Sequence, residues 1–69
     1  MRAENIQYAA RRIAEALHRG LRDKCLVRID IDSVRCAIAG YLIGAGEQAE
    51  TQDIEDLEKL TLRKIVEKV

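Results

Sequence analysis

Eleven consecutive residues, Cys36 to Gly46, carry no charge in a chain whose residues are 35% charged. That run is about half the ~20 residues a membrane span needs, so it belongs to the interior or an interface of a folded domain. Val34, Ile38, Tyr41, Leu42, Ala45 and Ala49 follow helical spacing, while Cys36, Ala37, Ala39 and Ile43 make the rest of the circumference apolar too. A helix apolar all round is normally central and buried. The pattern predicts such a helix from Ser33 to Glu50, with Asp32 or Ser33 accepting the free N–H groups of its first turn.

The flanks are also helical. Ile6, Ala9, Ala10, Ile13, Ala16, Leu17 and Leu21 recur at three- and four-residue steps, the signature of an amphipathic helix from Ala3 to Arg19, with Gly20 expected to end it. In the polar tract Glu47 to Asp53, Thr51 or Asp53 can cap a third helix reaching Val69. Ile54, Leu57 and Leu60 form one stripe of that helix, and Leu62, Ile65, Val66 and Val69 form another displaced around the axis. Such a wide apolar arc requires either a break near Thr61 or two covering surfaces. Between the first two helices, Val27, Ile29 and Ile31 alternate with Arg28, Asp30 and Asp32, which reads as a short extended connector at about 26 to 31. A lone strand is marginal in water, so the connector is expected to pack along the helices or pair across a dimer axis. Without proline or an internal repeat, the chain is expected to be mostly α: a single helical domain over 1–69, either a three-helix bundle or a helical hairpin plus a third helix.

Twelve Lys and Arg balance twelve Asp and Glu, so no global field draws the chain to nucleic acid or anionic lipid. The balance hides local blocks. Residues 11 to 28 carry a net +4, residues 47 to 58 a net −6, and the last eleven a net +3. In the third helix, acids come first and bases last, which complements the helix dipole.

Two surfaces are candidates for binding. Cys36, Gly40 and Gly44 form a small-residue ladder at four-residue spacing. Glycine in a helix interior costs about 1 kcal/mol against alanine, so the ladder suggests that another backbone approaches there, from this chain or from a second copy. With Ile43, Leu62 and Val66 it makes the candidate self-association set. Tyr8 with Arg11, Arg12, Arg19, Arg22 and Lys24 could instead stack a base and meet phosphates, although Glu4 and Glu15 on the same face favour ordinary helical ion pairs.

Other chemistry finds little support. His18, Cys25 and Cys36 match no compact zinc spacing and supply three ligands at most, while Asp30 and Asp32 suit capping and solubility better than a metal clamp. Gly44 and Gly46 come late in their helix, whereas phosphate loops precede one. No catalytic, cofactor or metal residue is assigned, and no enzyme activity is expected. Two unbridged cysteines and an opening from Met1 to Gln7 without an apolar stretch point to a reducing cytoplasm.

The opening Met1-Arg2-x-Glu4-x-Ile6, then Ile13 and Leu17, Leu26-Val27 followed by Asp30 or Asp32, and an apolar helix running into an acidic turn with Asp53-Ile54 resemble a family of small bacterial proteins catalogued only as a domain of unknown function. Family members run on past this point with prolines and aromatics that the chain lacks. The resemblance implies helices and transfers no site residue. The expectation is therefore a non-enzymatic interaction module, a homodimer through its second and third helices, with another protein as a possible partner. Nucleic-acid binding by the first helix is the alternative, and no membrane contact is expected.

Overall fold

In a computed structural model describing residues 1–67, the chain folds into α1 (Ala3–Arg22), α2 (Ile31–Ala45) and α3 (Thr51–Glu67). Each helix touches the other two, giving the expected three-helix bundle, and no strand forms among the described residues. The longest dimension, 31 Å, is that of α1, whose 20 residues rise about 1.5 Å each.

The central helix is α1, not α2. Ile6, Ala9, Ala10, Ile13, Ala14 and Leu17 are all buried along one side of α1, and the three alanines let both neighbours come close. From α2 only Val34 and Ile38 are buried, and from α3 only Leu57 and Thr61. A helix in a three-helix bundle meets two neighbours and can hide only the stripe between them. The remaining apolar circumference of α2 therefore faces outward. Half-buried Met1, Leu26, Ile29, Tyr41, Leu42, Leu60 and Ile65 close the core at its margins.

Local signals place the ends differently from expectation. Helix α1 continues past Gly20 to Arg22, then stops as Lys24 turns left-handed at φ 63°. The Cys25 N–H donates to the Gly20 carbonyl at 2.8 Å and that of Lys24 to Leu21 at 3.2 Å, the paired bonds of a Schellman motif. Gly20 remains useful because Leu26 folds back onto it. A β-carbon there would meet Leu26 Cδ1 at 2.9 Å.

The connector holds an irregular path over 23–30. Leu26 and Ile29 pack against the core, whereas Val27 is 99% exposed. Its two inward positions are thus three residues apart, and the alternation of Val27, Ile29 and Ile31 does not set its burial. Helix α2 begins at Ile31, with Asp30 as its N-cap in place of Asp32 or Ser33. The Asp30 carboxylate accepts the Ser33 N–H at 2.9 Å and its hydroxyl at 3.0 Å. The helix ends at Ala45, capped by Gly46, which is left-handed at φ 68°, so it stops short of the expected Glu50.

Helix α3 runs unbroken through Thr61. Its start is held from inside the first turn, where Asp53 Oδ2 accepts the Glu50 N–H at 3.0 Å and the Met1 ammonium at 2.9 Å. The expected end at Val69 lies outside the described residues. Both α1 and α2 cover α3, yet Leu62 and Val66 still stand exposed.

Candidate association surface

The side of the bundle shared by α2 and α3 is organised around one ion pair. Arg35 Nε lies 3.0 Å from Glu58 Oε1, with side chains 60% and 20% exposed. Four-residue steps stack side chains on a helix face. Steps from Arg35 give Ile31 in one direction and Ala39 and Ile43 in the other, and steps from Glu58 give Ile54, then Leu62 and Val66. A connection as short as 46–50 joins antiparallel neighbours, which puts Ile31 and Leu62 on one side of the ion pair and Ala39 and Ile54 on the other.

These two rows contain every exposed large aliphatic of the described helices. Ile31, Ile43, Ile54, Leu62 and Val66 all belong to them, and the other large exposed apolar side chains among the described residues are Val27 in the connector and Tyr8 on α1. Ile43 is 82% and Val66 71% exposed. Scattered surface hydrophobics are ordinary, but a contiguous exposed patch marks an interaction site.

The small-residue ladder lies on the other flank of α2, where Gly40 lines the groove shared with α1 and Cys36 a hollow beside Leu17 and Leu26. Cys36, Gly40 and Gly44 are exposed, and a β-carbon on either glycine would meet nothing within 4 Å. No backbone of the described residues occupies the space those glycines leave. All six residues of the self-association set thus reach the surface, but the structure separates them: Ile43, Leu62 and Val66 lie in the rows, and the ladder lies on the α1 flank of α2. Sequence reasoning missed Ile31, Arg35, Ala39, Ile54 and Glu58. Their signal was the same four-residue step, obscured because Ile31 read as an alternating strand residue.

The basic candidates lie on α1 and the turn after it. Tyr8, Arg11, Arg12, Arg19, Arg22 and Lys24 are all exposed. The Arg11 guanidinium lies 5.7 Å from the Tyr8 ring centre, within cation–π range, and Arg22 pairs with Asp23 at 3.6 Å. Arg12, Glu15 and Arg19 line an open groove of about 310 Å³ between α1 and α2, together with Ile13, Ala16, Ala37, Gly40 and Tyr41.

Cys25 and Cys36 are free and exposed. No cluster of three or more His, Cys, Asp or Glu side chains among the described residues could hold a metal ion, so His18, Cys25 and Cys36 are not brought together. No described helix is long and apolar enough to cross a membrane. Asp30 and Asp53 are the carboxylates whose acidity rises. The Ser33 N–H and hydroxyl hold Asp30 below the usual range, and the Glu50 N–H followed by the terminal ammonium does so for Asp53. Both serve helix starts.

No family model, curated protein or solved structure matches the chain. The likeness to small bacterial proteins of unknown function rests on the residues that suggested it.

Proposed function

We propose that the protein is a non-enzymatic helical interaction module that self-associates through α2 and α3. The observation that carries this reading is the confinement of the exposed helical aliphatics to the rows of α2 and α3. A stable interface buries about 800 Å² per partner, roughly a sixth of this chain's 4989 Å² surface. One side of a three-helix bundle can supply that area, whereas the outer stripe of α2 alone is too narrow. Light scattering on a sizing column tests the reading at micromolar concentration. A dimer is expected for the wild type, with dissociation on Ile43→Asp. A wild-type species of 7.8 kDa refutes it.

A second reading, nucleic-acid binding, draws on the groove where Arg12 and Arg19 have no carboxylate within ion-pair distance among the described residues. Phosphate contacts make affinity fall steeply with salt. Titration with duplex and single-stranded oligonucleotides at about 50 mM salt tests this reading, and absence of binding removes it.

A further inference from the structure

The charge pattern of the α2–α3 side selects how a second copy would lie on it. Two such sides can meet face to face about a two-fold axis in two ways. With the axis across the helices, α2 lies on α2 and α3 on α3, and a contact centred on the ion pair sets Arg35 against Arg35 and Glu58 against Glu58. With the axis along the helices, α2 lies on α3 of the copy at the same level, and each arginine meets a glutamate. Like charges juxtaposed in an interface cost several kcal/mol, so the second arrangement is favoured.

Two further features fit it. Arg35 uses only Nε in a hydrogen bond within the chain, and a guanidinium carries five N–H donors, so most of its donors remain for a second carboxylate. Placing α3 of one copy over α2 of the other also sets Ile31 opposite Leu62 and Ala39 opposite Ile54, so exposed aliphatics face aliphatics. Resting on the self-association reading above, we propose that a second copy of this chain docks with its α3 over α2, and that Arg35 and Glu58 of each subunit are answered by Glu58 and Arg35 of the other.

Sedimentation equilibrium on the full chain tests this arrangement, with circular dichroism confirming that each variant remains helical. Arg35→Glu and Glu58→Arg, each alone, should weaken dimerisation about tenfold or more. An equimolar mixture of the two variants should regain it, because each chain then supplies the sign its companion lacks. Within each variant chain the like charges persist, so recovery can only come from contacts between chains. A monomeric wild type would overturn the self-association reading and this arrangement with it. A wild-type dimer indifferent to both reversals, or a mixture that fails to recover, would overturn this arrangement alone.

Discussion

Leu26 folds back over Gly20 so closely that a β-carbon on residue 20 would stand 2.9 Å from Leu26 Cδ1 and 3.1 Å from its Cγ. Helix propensity favours alanine over glycine by about 1 kcal/mol, but here the gain is opposed by displacing a side chain that closes the core. Gly40 has open space around it. Gly40→Ala should therefore raise stability by about 1 kcal/mol, and Gly20→Ala should fall short of it or destabilise. Urea denaturation of both variants at one low protein concentration checks the contrast, and equal gains would refute it.

Lys24 is the described non-glycine residue with a positive φ. The left-handed region costs a side-chain-bearing residue about 1 kcal/mol or more, and the Schellman turn there suits glycine. Lys24→Gly should stabilise by about 1 kcal/mol, visible as a rise in Tm of about 4–8 °C for a domain this small. A lower Tm would show that the Lys24 side chain contributes more than its backbone costs.

Thr61 is fully buried, and its Oγ1 has no hydrogen-bond partner. An unsatisfied buried hydroxyl costs about 1–3 kcal/mol, while valine keeps nearly the same shape. Thr61→Val should stabilise by about 1 kcal/mol in chemical denaturation, without changing helicity. Loss of stability would mean that the hydroxyl has a partner in solution.

Asp30 and Asp53 carry the acid limb of stability. Both carboxyls are held below their ordinary value by hydrogen bonds to their charged forms. Their contribution is complete above the unfolded pKa near 4 and is lost as pH falls through the lower folded values. Asp30→Asn with Asp53→Asn should flatten the decline in urea midpoint between about pH 4 and pH 2. Asparagine remains a good N-cap at residue 30 and keeps an acceptor oxygen for the Glu50 N–H at residue 53, so the comparison tests the charge. Parallel acid limbs in variant and wild type would place the dependence elsewhere.

The helices were legible because Ile6, Ala9, Ala10, Ile13 and Leu17 repeat at helical spacing and share one burial stripe. Their order in space was not legible. The uncharged run Cys36 to Gly46 resembles a core helix, yet apolar character does not say how many neighbours a helix has. Two neighbours hide Val34 and Ile38 and leave Ile43 in solvent. Leu62 and Val66 were picked out as surplus, but the surface they belong to depends on the Arg35 to Glu58 register, a contact between residues far apart in sequence. Asp30 displaced Asp32 as the cap because only one residue can stand before the first turn, and Ser33 at the third helical position reaches back to Asp30.

Confinement of the exposed helical aliphatics to the rows of α2 and α3 also sets how far assembly can go. A contact between two different sticky regions adds copies without limit and builds filaments, whereas a surface that meets itself is used up by a single event. The opposite wall of the bundle shows solvent the charged stripe of α1, including Arg11, Arg12 and Arg19. In the proposed pair, joined through α2 and α3, the outer wall is mostly arginine and carboxylate and offers, among the described residues, no second aliphatic row for a third copy.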